Sequence, residues 1–342
     1  MEQRNSIEVR VSENGELKNN EFLKPLRNWL SRRPNYSVLE KHSTSDDEII
    51  TSNFGFGESE TQFKENLKLY PEILSTYVDR PVEYKVNAHG CRSDKPFTPD
   101  IGREVDIYLG DSFTFGVGHY VENTWPRWVG KWQGRDVLNL GIPGGGIEAS
   151  FHMLSTVINQ FMVRNVFHYQ PIAFRYSFPY ETDINGKRYK AIDTLIPSAL
   201  DDPLYMKTFE EFLPWNDVGL FNLTDQDYAW YNHFTYVNAI KGLCASTITA
   251  KDGFPKYYHL VGVHHREVDK LVFKDGPFTQ GKKQEIEKFD FGNNLVARDI
   301  AHGTSNQNIH IANTFKKLKN FHPDGYTGFE NFGDVKMKIP IV

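Results

Sequence analysis

The sequence predicts an α/β fold in which a parallel β-sheet is covered by helices on both faces. Residues 105–109 form a short apolar run that ends at Gly110, and residues 136–140 repeat the pattern before a glycine-rich loop. Short apolar runs bounded by glycine are typical of strands buried on both faces. Helical patterns after Ser112 and over 147–163 complete right-handed strand–helix–strand units, which predict ligand binding at the carboxyl ends of the strands.

Length and composition are those of a water-soluble globular chain. It has 342 residues, of which 39% are apolar, which is enough for one full-sized core with an elaboration or for two modest domains. No segment approaches the roughly 18 apolar residues that a membrane span needs. The N-terminus lacks the basic start and apolar run of a secretory signal, so we expect synthesis in a cytoplasm. The sequence leaves the final location and the oligomeric state open.

Charge and cysteine content argue against two further classes of protein, nucleic-acid-binding proteins and small disulfide-rich secreted domains. The net charge is −5, whereas nucleic-acid binding needs clustered Lys and Arg to neutralise phosphates, so no nucleic-acid partner is expected. The cysteines, Cys91 and Cys244, are far apart in the chain and cannot form the disulfide framework of a small secreted domain. We therefore expect free, packed thiols.

The patterns divide the chain into three parts. Residues 1–80 are interpreted as an N-terminal extension, residues 81–320 as the α/β domain, and residues 321–342 as a C-terminal tail. A stretch rich in prolines, turns and aromatic rings at 181–290 is interpreted as an insertion or subdomain. The remaining predicted elements are a strand over 171–178, a helix near 231–241 and a strand at 258–263 in the insertion, the parallel pattern again at 294–297, and a closing helix over 306–318.

Ser112 stands at the junction between the first predicted strand and a helix start. Unpaired backbone N–H groups and the helix dipole favour developing negative charge there, so a serine at this point could attack a carbonyl and hold the oxyanion. The alternative is that Ser112 only caps the helix. Its neighbourhood, residues 110–116, reads GDSFTFG.

A carboxylate and an imidazole lie three positions apart near the end of the chain. Asp299 and His302 precede the closing helix, and this spacing lets Asp299 accept a hydrogen bond from Nδ1 while Nε2 stays free to take a proton from the serine. The alternative is a surface aspartate and an unrelated histidine. The two signals together are more specific than either one alone.

The order of three short blocks resembles the SGNH (GDSL) hydrolase family. These blocks are Gly-Asp-Ser at 110–112, Asn-Leu-Gly-Ile-Pro-Gly at 139–144 and Asp-x-x-His at 299–302, within residues 105–318. The resemblance implies a three-layer α/β/α fold with a flavodoxin-like sheet. It also implies hydrolysis of esters, often of acyl groups on lipids or carbohydrates, with no metal and no cofactor.

The resemblance also implies roles for individual residues. Ser112 would be the nucleophile and its backbone N–H one oxyanion donor, and Gly144 would supply a second N–H. Asp299 would orient His302, and His302 would act first as base towards Ser112 and then as acid towards the leaving alcohol.

One block departs from the family pattern. The family shows Gly-x-Asn-Asp after the third strand, whereas residues 175–181 here read RYSFPYE, without asparagine. Either Ser177 or a tyrosine replaces the amide donor, or the oxyanion hole has fewer donors. Losing one donor costs roughly 2.7–4 kcal/mol of transition-state stabilisation.

A further element lies upstream of Ser112. Residues 87–92 resemble an Asn-x-x-Gly-x-Arg element found in some members of the SGNH family, which predicts either a tight turn or a substrate contact from Arg92.

Other interpretations of these residues have less support. The loop at 141–146 lacks the order of a nucleotide-binding loop. Position 114 is Thr, so the Gly-x-Ser-x-Gly elbow of α/β-hydrolases is missing. The neighbouring His264 and His265 would point to opposite faces of a strand and give no zinc site. His322 could compete with His302 for the role of base.

The sequence therefore predicts a serine esterase that forms an acyl-enzyme on Ser112 and acts on a small-molecule or carbohydrate ester. The aromatic rings of 181–290 could line a groove for sugars. The alternative class is a weak or inactive SGNH scaffold that serves as a binding or structural module in a larger assembly.

Overall fold

The centre of the fold is a parallel sheet in the order expected of flavodoxin-like proteins. The computed structural model describes residues 37–38, 49–54, 58–87, 91–93, 103–170, 175–184, 187–195, 226–249, 253–261, 297–299, 302 and 304–329. The strands are β1 (Ser37–Val38), β2 (Ile49–Ser52), β3 (Tyr84–Asn87), β4 (Glu104–Gly110), β5 (Asp136–Asn139), β6 (Met162–Gln170), β7 (Tyr176–Ile184), β8 (Lys187–Leu195), β9 (Lys256–Val261) and β10 (Tyr326–Phe329). The helices are α1 (Glu60–Leu69), α2 (Pro71–Leu74), α3 (Thr76–Asp79), α4 (Ser112–Phe115), α5 (Trp125–Gln133), α6 (Ile147–Val157), α7 (Gln226–Ser246) and α8 (Ser305–Phe321).

Five of the described strands form the central sheet in the order β10-β9-β6-β4-β5, and each neighbouring pair is parallel. Numbered along the chain and read from β5, this is the order 2-1-3-4-5, in which ligands bind where the order reverses. That point lies between β4 and β6, at the carboxyl end where β4 leads into α4. The predicted α/β fold with a parallel sheet is confirmed.

Helices cover both faces of this sheet. On one face, Ile107 and Leu109 of β4 share a buried cluster with Leu154 of α6 and Val237 of α7. On the other face, Tyr108 and Phe167 pack with Trp125 of α5 and Phe315 of α8, and the rings of Trp125 and Phe315 lie 5.0 Å apart. Successive residues of a strand point to opposite faces, so β4 supplies both cores.

The third parallel strand is not where the sequence pattern placed it. The helix predicted over 147–163 ends at Val157, and the third parallel strand, β6, runs from Met162 to Gln170. Of the strand predicted over 171–178, residues 176–178 begin the antiparallel strand β7 instead, and 171–174 lie outside the described residues. β6 carries buried polar side chains among its apolar ones, and these find partners in the folded protein. Asn165, for example, donates to Asp106 of β4 at 2.6 Å.

The outlying segments carry further elements. β7 and β8 form an antiparallel hairpin that pairs with β1 in a separate sheet. The range 181–290, predicted as an insertion, contains α7 and β9, which both belong to the central layers. The range 321–342, predicted as a tail, contains the edge strand β10. The closing helix over 306–318 is confirmed by α8, whereas the pattern at 294–297 lies outside the described residues except for Ala297.

The N-terminal helices pack beside the end of α4. Leu74 and Tyr77 share a buried cluster with Phe115 and Val117. Among the described residues, no helix is both long enough and apolar enough to cross a membrane.

Candidate active site

Ser112 is the first residue of α4, directly after the turn that ends β4. Gly110 has φ +147°, and a Cβ there would lie 2.2 Å from both Thr114 Oγ1 and the Tyr169 carbonyl oxygen, so the turn requires glycine. The Asp111 carboxylate caps the helix by accepting a hydrogen bond from the Phe113 N–H at 3.0 Å. The serine therefore stands at the carboxyl edge of the sheet, at a helix N-terminus.

The second oxygen of Asp111 is held by an arginine from the segment after β6. Arg175 Nη1 donates to Asp111 Oδ2 at 2.6 Å, and the Asp111 side chain is fully buried. Burial raises the pKa of Asp111, and the positive charge of Arg175 and the Phe113 N–H oppose that rise. The cap of α4 is thus tied to the segment that carries Ser177.

Asp299 and His302 form the predicted pair. His302 Nδ1 is hydrogen-bonded to Asp299 Oδ2, and the His302 backbone N–H donates to Oδ1 at 3.3 Å. The side chain of His302 is 18% exposed, whereas that of Asp299 is 5% exposed. Burial lowers the pKa of His302, but the negative charge of Asp299 and its hydrogen bond outweigh burial, so the pKa is raised above its ordinary value.

The imidazole lies beside the helix that carries the serine, without a hydrogen bond to the hydroxyl. The rings of His302 and Phe113 are 5.2 Å apart between centroids. Among the described residues, Ser112 Oγ has no hydrogen-bond partner, and no bond joins it to His302. Catalytic hydrogen bonds are often long without substrate. The structure brings the serine's helix and the Asp–His pair together, and the complete triad stays a prediction.

The second block is attached to α4 through Asn139. Its side chain donates to the Thr114 carbonyl oxygen at 2.8 Å and accepts from the Gly141 N–H at 3.0 Å. Gly141 itself lies so close to α4 that a Cβ would be 2.4 Å from the Phe115 nitrogen. Gly144 follows, half-buried and with φ +79°, a backbone conformation that favours glycine. Its role as an oxyanion donor stays a prediction.

Ser177 lies at the start of β7 rather than at the end of a parallel strand. Its hydroxyl oxygen accepts a hydrogen bond from the Gly146 N–H at 2.7 Å, and its own N–H donates to Glu148 Oε2 at 3.1 Å. The third strand ends at Gln170, so the residues that follow it directly are 171–174, which lie outside the described part and also lack asparagine. The structure thus gives Ser177 a bond to Gly146, two residues after the second block, and its role towards an oxyanion stays a prediction.

Arg92 has a role that neither sequence interpretation anticipated. The buried guanidinium donates to the carbonyl oxygens of Phe115 at 3.0 Å and His119 at 2.7 Å, and also to that of Gly116. These carbonyls are at and just beyond the C-terminal end of α4, where carbonyl groups lack helical partners. Arg92 therefore stabilises the helix that carries Ser112. The sequence had singled out this residue, but its partners could not be read from spacing.

His322, the alternative candidate for the base, is remote from His302. His322 follows the C-terminal end of α8, and a 17-residue helix is about 25 Å long, so it stands far from His302 at the other end. His264 and His265 lie outside the described residues. Within the described part of the chain, no group of His, Cys, Asp and Glu side chains could hold a metal ion. Cys91 and Cys244 are buried and form no disulfide with each other.

Comparison with known proteins gives little further support. No protein-family model and no curated protein matches the chain. Among solved structures, a likeness is found to that of a putative lipolytic protein of the G-D-S-L family from Desulfitobacterium hafniense. That likeness has 15% sequence identity and a TM-score of 0.22, and it covers 54% of this chain and 94% of the other. A TM-score of this size carries no argument, so the site rests on its geometry.

Proposed function

We propose that this chain is a serine esterase of SGNH type that hydrolyses an ester, such as an O-acyl group on a carbohydrate, through an acyl-enzyme on Ser112. The observation that carries the proposal is the Asp299–His302 pair beside the N-terminus of α4. Because Nδ1 faces the carboxylate, Nε2 is the nitrogen left to take a proton.

In the proposed reaction, His302 Nε2 takes the proton of Ser112 Oγ while the oxygen attacks the ester carbonyl. The oxyanion that forms accepts hydrogen bonds from the backbone N–H groups of Ser112 and Gly144. His302 then protonates the departing alcohol, and the acyl group remains on the serine. Water, deprotonated by His302, releases the acid and restores Ser112.

The second candidate function is a binding or structural module built on the same scaffold. It is favoured by the absence of a hydrogen bond between Ser112 Oγ and His302, and by the lack of an asparagine in residues 171–181. A module of this kind would keep the fold and the Asp299–His302 pair but would not turn over an ester.

Ester hydrolysis separates the two candidates. Purified protein is assayed with p-nitrophenyl acetate and with acetylated sugars, alongside Ser112→Ala and the control Ser155→Ala, which alters an exposed hydroxyl on α6. We expect Ser112→Ala to lose about 10³-fold or more in kcat/KM, and Ser155→Ala to match the wild type. A wild-type rate equal to that of Ser112→Ala would favour the module.

A further inference from the structure

A buried ion pair joins the segment before α1 to the residue next to Asp299. Arg298 Nε and Nη2 donate to the two oxygens of Glu58 at 3.1 and 2.7 Å, in a bidentate arrangement. The side chains are 1% and 3% exposed, respectively. Arg298 Nη2 also donates to the Asn53 carbonyl oxygen at 2.5 Å, and the guanidinium lies over the Phe54 ring at 4.2 Å.

The pair belongs to a closed set of contacts around Gly118. The Tyr84 hydroxyl bonds to Glu58 Oε2 and accepts from the Gly118 N–H at 2.8 Å, while the Gly118 carbonyl accepts from the Arg298 N–H at 2.9 Å. Gly118 has φ +74°, and a Cβ there would lie 3.0 Å from Asp299 Oδ1. Carboxylate, phenol, glycine and guanidinium therefore fix the backbone directly before Asp299.

The next residue along the chain extends these contacts to the imidazole. His119 Nε2 lies 3.3 Å from the His302 carbonyl oxygen, and Asp299 holds the other side of His302. A buried ion pair is a poor source of stability, because desolvating two charges offsets most of their attraction. What such a pair provides is a fixed geometry, since a bidentate fork allows one orientation.

We propose that Glu58 and Arg298 are positioning residues that hold Asp299, and through it His302, in the orientation needed towards Ser112. This inference rests on the proposed function and extends the site to the segment before α1. The pair acts through the Asp299 backbone and touches no reacting atom. Its loss should change the rate of the chemical step and leave substrate binding nearly unchanged.

Several charged groups surround His302, so the removal of one of them should shift the pKa of His302 in a predictable direction. Asp299, Asp111 and Glu58 carry the negative charges that raise the pKa of His302, against burial. His119 stays neutral, because burial lowers its pKa to about 4. Replacing Glu58 by glutamine removes a negative charge and leaves Arg298 uncompensated, so the pKa of His302 should fall.

The test compares Glu58→Gln with the control Glu60→Gln, which neutralises an exposed carboxylate two residues along. The His302 pKa is followed by NMR, with its signal assigned by loss in His302→Gln, and kcat and KM are measured on the ester used above. We expect Glu58→Gln to lower the pKa and to reduce kcat about 10-fold or more with little change in KM. Glu60→Gln should leave all three unchanged.

A second variant guards against loss of the fold. In Glu58→Leu/Arg298→Met the pair is replaced by apolar side chains of similar size, an exchange that buried ion pairs tolerate. The same fall in kcat is expected, because the fixed geometry is lost. The His302 pKa should change less than in Glu58→Gln, because the positive charge of Arg298 is removed together with the negative charge of Glu58. A wild-type kcat in this double variant would overturn the proposal, as would its failure to fold, because the pair would then be a structural requirement. If wild-type protein hydrolyses no ester, the proposed function fails, while the NMR titration still tests the coupling of Glu58 to His302.

Discussion

At the scale of single residues, Ser177 illustrates how a predicted oxyanion donor can have a different partner. Its hydroxyl oxygen accepts from the Gly146 N–H, at the N-terminus of α6, so it ties β7 to the loop that contains Gly144. If the Ser177 hydroxyl also donates a hydrogen bond to an oxyanion in the transition state, it must do so while it accepts from the Gly146 N–H.

We predict that Ser177→Ala lowers the free energy of unfolding by about 1–3 kcal/mol, because the buried Gly146 N–H loses its acceptor. A fall in kcat is also expected, since the loop carrying Gly144 loses an anchor. Urea unfolding and ester hydrolysis measure the two effects, with Ser155→Ala as the control. Unchanged stability would show that the Gly146 N–H finds another acceptor. Unchanged kcat would show that Ser177 is not an oxyanion donor, so that the oxyanion hole consists of backbone N–H groups only.

The sequence indicated the site residues that lie in short local patterns. Asp299 and His302 are three positions apart, and Ser112 lies in a short block, so local spacing was informative. Glu58 lies 240 positions before Arg298, and no local pattern connects them. Arg92 was noticed in its motif, but carbonyl groups 23 or more positions away are its partners. Contacts of this kind depend on the completed fold.

At the scale of elements, the sequence predicted the strands with continuous apolar runs and misplaced β6, in which polar residues interrupt the run. β4 and β5 lie where their apolar runs indicated, and α8 where its periodicity did. β6 was missed because Asn165 and His168 are buried with partners, Asp106 and the Tyr257 hydroxyl, that only tertiary structure supplies. Buried polar side chains interrupt the apolar pattern by which a buried strand is detected.

At the scale of the whole molecule, three histidines make the core sensitive to acid. His168 of β6, His233 of α7 and His259 of β9 are buried between sheet and helix, with ring centroids 4.8 Å apart for His168 and His259 and 5.3 Å for His233 and His259. Burial lowers the pKa of His168 and of His233 to about 3, and that of His259 well below its ordinary value. These imidazoles are therefore neutral in the folded protein.

We predict that stability falls as the pH decreases from about 6.5 towards 3. Below about 6.5 the unfolded chain protonates these histidines while the folded protein does not, so each contributes a loss of roughly 2 kcal/mol by pH 5. Urea unfolding at pH 7 and pH 5 measures the difference. His233→Leu should reduce the pH dependence, whereas His310→Gln, at an exposed position of α8, should not. Equal stability at both pH values would contradict the prediction.

The central claim, a nucleophilic serine at position 112, is tested most directly by reaction with a fluorophosphonate probe and mapping of the labelled peptide. A serine next to an imidazole base reacts far faster than an ordinary serine. We predict that folded wild-type protein is labelled at Ser112, that Ser112→Ala is not labelled, and that His302→Gln is labelled much more slowly. Folded wild-type protein that remains unlabelled, or that is labelled equally well without His302, would contradict it.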